Sequence, residues 1–99
     1  GTLGTEIPAT FNVKQYPNPF NPIINIALTL NEKMNVSVEI FNILGQKVRT
    51  LANGEFDKGE HSLIWDGKDE VGVNAASGVY FYQVKTKDKT VRNKMLLVK

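Results

Sequence analysis

Asp66, Asp69, Glu70 and Asn74 form the one oxygen-rich cluster of this sequence, in a stretch that also holds Gly67 and Gly72. Calcium is bound by several carboxylate and carbonyl oxygens at once, and a glycine-containing loop is the kind of backbone that can wrap such an ion. The spacing does not match the helix–loop–helix calcium pattern. Asp and Asn in such a run also accept hydrogen bonds from nearby backbone N–H groups, which builds turns without any metal. Turn building is the leading expectation for these four residues, and calcium the secondary one.

Other chemistry has little to work with. His61 is the only histidine, and it is read as a surface or packing residue beside a strand start. No serine sits in a Gly-x-Ser-x-Gly turn, and no His-x-x-x-His or Cys-x-x-Cys pair offers zinc ligands. Glu32, Glu39, Glu55 and Glu60 fall on separate turns and strands, so no carboxylate pair is spaced for glycoside hydrolysis. The expectation is a protein that is not an enzyme and carries no cofactor. Asn35-Val36-Ser37 matches a glycosylation sequon, a three-residue pattern of low information. Tyr16 to Pro22 lacks the basic flank of a proline-rich ligand and is expected to dock on its own domain.

The elements that position these residues are strands. Ile24, Ile26, Leu28 and Leu30 alternate with Asn25, Ala27 and Thr29, and Val36, Val38 and Ile40 alternate with Ser37 and Glu39. Asn42 to Gln46 is a tight connection containing Gly45, followed by a strand over Lys47 to Leu51. Asn53-Gly54 and Lys58-Gly59 mark the loop to His61–Trp65, where Leu63 and Trp65 share a face. After the turn-rich stretch to Gly78 come Val79 to Thr86, with Tyr80, Tyr82 and Val84 on one face, and Val91 to Val98. Leu96 and Val98 are expected to pack in the core. About seven short strands without helical periodicity predict an all-β, immunoglobulin-like antiparallel sandwich.

Composition agrees with a single domain: 99 residues, 41% hydrophobic and 22% charged. Residues 1–10 are small, polar and pattern-free, and are read as a linker or expression remnant ahead of a domain over 11–99. With no cysteine there is no disulfide, so Trp65 and the tyrosines must fill the core without one. No apolar run is long enough to span a membrane as a helix. The charge is uneven. Lys85, Lys87, Lys89, Arg92, Lys94 and Lys99 against Asp88 give residues 85–99 a charge of +5 within a net +2. That segment is expected either to be solvated or to form a basic edge for an acidic partner or anionic surface. Nucleic acid is not expected, since aromatics do not interleave a dense basic patch.

Five segments occur in one order: Tyr16-Pro17-Asn18-Pro19-Phe20-Asn21-Pro22; Val38 to Val48 around Gly45; Gly59 to Gly67 with Trp65-Asp66-Gly67; Ser77-Gly78-Val79-Tyr80-Phe81-Tyr82; and Lys94-Met95-Leu96-Leu97-Val98-Lys99. In this order they resemble the type A C-terminal sorting domains of the type IX (Por) secretion system, over about residues 7 to 99. The stretch from the middle to Tyr80 also resembles the immunoglobulin-like domain of flagellar hook-capping proteins. The first resemblance implies a sorting signal that directs an N-terminal cargo, by way of the periplasm, through an outer-membrane translocon. It further implies a sortase-like peptidase partner and a secreted or cell-surface destination. Lys94, Met95, Leu96, Leu97, Val98 and Lys99 are then the expected recognition segment, while Tyr16, Pro17, Asn18, Pro19, Gly45, Trp65, Asp66, Gly67, Gly78 and Tyr80 are architectural. The alternatives are a structural module or a carbohydrate-binding accessory module, the latter with Trp65, Tyr80 and Tyr82 as its stacking platform.

Overall fold

A computed structural model describes residues 11–17 and 23–98, with side chains described for Val13 and for 23–98. The expected linker 1–10, the motif positions Asn18 and Pro19, and Lys99 lie outside the described residues, as do the side chains of Tyr16 and Pro17. Seven strands follow in order: β1 (Phe11–Pro17), β2 (Ile24–Leu30), β3 (Met34–Asn42), β4 (Lys47–Phe56), β5 (Gly59–Trp65), β6 (Gly78–Lys85) and β7 (Thr90–Leu97). They form two antiparallel sheets, β1-β2-β5 and β4-β3-β6-β7. This is the immunoglobulin-like sandwich that the alternation predicts. No helix among the described residues is long and apolar enough to cross a membrane.

Alternation builds the core. In β2 every second residue from Ile24 to Leu30 is buried, and in β3 and β6 the same period buries Val36, Val38 and Ile40, then Tyr80, Tyr82 and Val84. Side chains of period two leave one face of each sheet apolar, and the two faces close on each other around Trp65, which has no exposed surface. β4 carries two irregularities, where Leu51 and Val48 are skipped in its register with β3. Each bulge inserts an extra residue, and Val48, Leu51 and Ala52 all pack against the core.

Two expectations change. Asn53-Gly54 does not form the loop before β5, because these residues continue β4 and pair with Ser37 and Val36. The ladder offered by β3 runs back to Met34, opposite Phe56, and long-range pairing outweighs the local turn preference. The turn instead falls at Asp57-Lys58, and Gly59, at φ +122°, supplies the backbone freedom it needs. In β7 the faces are the reverse of those expected: Met95 and Leu97 are buried, whereas Leu96 is 56% and Val98 65% exposed. The partner strand decides this, since Tyr80 opposes Met95 and Gly78 opposes Leu97. Residues directly opposite one another share a face.

Candidate functional site

Strand register carries the motif segments to one pole of the sandwich. Pro17 pairs with Ile24, which pairs with Trp65; Asn42 pairs with Tyr80, which pairs with Met95; and Gly78 pairs with Leu97. The Asn42–Gln46 turn and the residue 66–77 loop cover this pole. At the opposite pole Phe11 pairs with Leu30 and Leu30 with Gly59, so the chain enters β1 at the far end of a body 39 Å long.

Trp65 and Tyr80 hold the 66–77 loop from inside. The indole Nε1–H donates to the Lys68 carbonyl at 2.9 Å, and the Tyr80 hydroxyl donates to the Ala76 carbonyl at 2.7 Å. Buried aromatics with polar tips need such partners, and here the partners are loop backbone. The acidic cluster completes the loop: Asp69 Oδ1 accepts from Val71 N and Val73 N, and Asp66 Oδ1 accepts from Lys68 N. Glu70 Oε2 accepts the Thr50 amide at 3.0 Å and Arg49 reaches Asp66 at 3.4 Å, which ties the loop to β4. Gly67 at φ +76° and Gly72 at φ +88° make the reversals. The carboxylates named for calcium are thus turned to backbone amides. Asn74 instead pairs with Lys68 through an isolated bridge, and among the described residues no group of three acidic, His or Cys side chains is arranged for a metal.

The β3–β4 turn is built on Asn42, which the sequence marks only as the start of a tight connection. Its Oδ1 accepts from Leu44 N and Gln46 N, both at 2.9 Å, and its amide donates to Gln46 Oε1. Gly45 sits at φ +83°, a conformation that costs side-chain-bearing residues energy. The signal was an Asn at a strand end with glycine three residues on, the arrangement in which Asn caps its own turn. Ile43 and Leu44 stand out to solvent, 70% and 79% exposed. Between this turn and the 66–77 loop lies a groove of about 540 Å³, lined by Asn42, Gln46, Val48, Glu70, Val71 and Tyr80.

Residues 22–90 match the family model described as the FlgD Ig-like domain. The chain belongs to this family. Among solved structures, FlgD of P. aeruginosa superposes at a TM-score of 0.57 with 29% identity, over 76% of this chain and 60% of that one. Dimeric latent PorU of Porphyromonas gingivalis superposes at a TM-score of 0.70 with 22% identity, over 89% of this chain and 9% of that one. This chain therefore spans a small fraction of the PorU chain and under two thirds of the FlgD chain. No curated protein matches the sequence.

Within this Ig-like domain the remaining expected site residues part company. The basic run is divided: Lys87 and Lys89 lie in the β6–β7 turn at the pole away from the motifs, where Lys87 and Asp88 face Glu32 and Glu55 across a second groove. Arg92 and Lys94 lie instead along β7. Trp65, Tyr80 and Tyr82 are 0%, 8% and 2% exposed, so they offer no platform on which a sugar could stack. His61 is structural: its Nε2 lies 2.7 Å from the Asp57 carbonyl and its ring meets Phe56 edge-on.

Proposed function

We propose that the domain is a type IX sorting signal, directing a cargo on its N-terminal side across the outer membrane to the surface or the medium. The observation that carries this reading is the convergence of the motif segments at one pole, where exposed apolar residues stand beside the packed Trp65–Tyr80 contact. That pole presents the Lys94–Val98 segment, the exposed Ile43-Leu44 turn and the 66–77 loop together. The cargo would attach at the opposite pole, ahead of Phe11, and so would leave the motif pole clear. The fold likeness to PorU, which bears the Por designation of that system, is compatible with this reading.

Recognition would use β7. It is an edge strand in unbroken register with β6 from Thr90 to Leu97, whereas the other edge of the same sheet, β4, is interrupted by bulges. A regular edge can accept a partner strand, and a bulged edge resists one. The partners would be the outer-membrane translocon and a sortase-like peptidase, the latter cutting before Phe11. A fluorescent reporter carrying Phe11–Lys99 behind a Sec signal tests this in a type IX-competent bacterium and a translocon-deficient strain. Fluorescence at the surface or in the medium that vanishes in the deficient strain is expected. Periplasmic retention of a folded reporter in both strains would overturn the reading in favour of a structural module, the alternative that membership of the FlgD Ig-like family favours.

A further inference from the structure

The outer face of the β4-β3-β6-β7 sheet points away from the core, yet its centre is not polar. Cross-strand register sets four of its residues in one row: Lys47 opposes Phe41, Phe41 opposes Phe81, and Phe81 opposes Lys94. Two aromatics are thus flanked by two lysines. Val79 and Leu96, paired with each other, lie beside the row on the same face, and Leu96 is 56% exposed. On the other side Arg92 places its guanidinium 5.0 Å from the Phe41 ring centroid and 5.9 Å from that of Phe81. The nearby carboxylate, Glu39, is 3.7 Å from Lys47, whose side chain remains 51% exposed. Three cations therefore surround an apolar centre against one acid.

An aromatic centre with a stacked arginine and a charged rim is the composition of a protein-docking patch, not of an ordinary solvated sheet face. The spacing states what fits. Strands about 4.8 Å apart put the two lysine backbones roughly 14 Å from each other. An extended peptide advancing about 3.3 Å per residue covers nearly that length in four residues. We propose that this face binds an extended acidic protein segment laid across the strands. Two carboxylates four residues apart meet Lys47 and Lys94, and the apolar side chain midway between them falls between Phe41 and Phe81. Arg92, held over the two rings yet exposed to solvent, offers its guanidinium to a further acceptor on the segment. This surface shares Arg92, Lys94 and Leu96 with β7 but uses their side chains on the sheet face and not the free backbone edge, and its occupation does not depend on the domain being an export signal.

The test is an NMR titration of the isotope-labelled 99-residue chain with a capped peptide containing Glu-Thr-Leu-Thr-Glu, against a control in which both Glu are Lys. The expected result is amide shifts concentrated at Phe41, Lys47, Phe81, Arg92 and Lys94, absent with the control. The doubly substituted Lys47→Glu, Lys94→Glu chain should bind at least tenfold more weakly. Arg92→Gln provides a second reading should that pair disturb folding. Shifts that fail to appear at millimolar peptide, map elsewhere, or are equal for both peptides would overturn the proposal. So would phosphatidylglycerol vesicles that broaden these signals where the acidic peptide does not, since the face would then be a membrane-contacting one. Binding of the peptide by a domain that is not exported would sink the sorting reading and leave this one standing.

Discussion

Trp65 and Tyr80 meet edge-on across the two sheets, with ring centroids 5.1 Å apart and planes at 68°, and both reach the same loop with their polar tips. One contact therefore closes the core at the motif pole and fixes the backbone that covers it. Trp65→Ala is expected to cost about 3–5 kcal/mol, the range for removing a large buried aromatic. Tyr80→Phe keeps the ring and loses the hydrogen bond to Ala76, so about 1 kcal/mol is expected. Urea unfolding of the two variants checks both figures. Equal losses for Tyr80→Phe and Tyr80→Ala would show that the ring contact contributes nothing.

Asn42 and Gly45 support one turn by different means. Asn42→Ala removes two acceptor bonds from backbone amides, a loss of roughly 1–3 kcal/mol at ordinary net hydrogen-bond values. A methyl at Gly45 meets nothing within 4 Å, but φ is +83°. Gly45→Ala therefore carries conformational strain without a clash, about 1–2 kcal/mol. Because both act on the same turn, the double variant should lose less than the sum. Additive losses in a denaturation cycle would refute a shared turn.

β7 allows stability to be separated from recognition. Leu97 is 1% exposed and Leu97→Ala should cost about 2–5 kcal/mol, while Leu96→Ala should stay within about 0.5 kcal/mol. If the Lys94–Lys99 segment is read by an export machine, the Lys94→Glu, Lys99→Glu pair should abolish reporter export with the melting temperature nearly unchanged. Normal export of that pair would remove the charge-based part of the proposal.

The acidic loop should be indifferent to calcium. Asp69→Ala is expected to lower stability equally in calcium and in chelator, because Asp69 holds the amides of Val71 and Val73. A ligand that binds the folded chain raises its stability with concentration. A melting temperature that climbs with added calcium in the parent chain, and not in Asp69→Ala, would contradict the turn-building role.

Much of the fold was legible from local pattern. In β2, and in β3 from Met34 to Ile40, large apolar residues alternate with polar or small ones, so period two stated both the strand and its buried face. Trp65 was legible as a core residue because nothing else of its size was available to a sandwich without a disulfide. Gly45 and Gly67 marked true reversals, but Asn53-Gly54 misled, since a turn-forming pair can be absorbed by a longer ladder.

The sequence by itself determined six of the seven strands among the described residues, all but β1, and the turns at Asn42–Gln46 and after Trp65, because these depend on residues only a few positions apart. It could not determine which side of Met95-Leu96-Leu97-Val98 faces inward. Four consecutive apolar residues have no alternation to read, and only pairing of Tyr80 with Met95 selects a face. Nor could it show that, among the described residues, the basic run divides between the β6–β7 turn and a sheet face. The row Lys47–Phe41–Phe81–Lys94 likewise exists only in the folded chain: it joins residues up to 53 positions apart, brought together by hydrogen-bonded register.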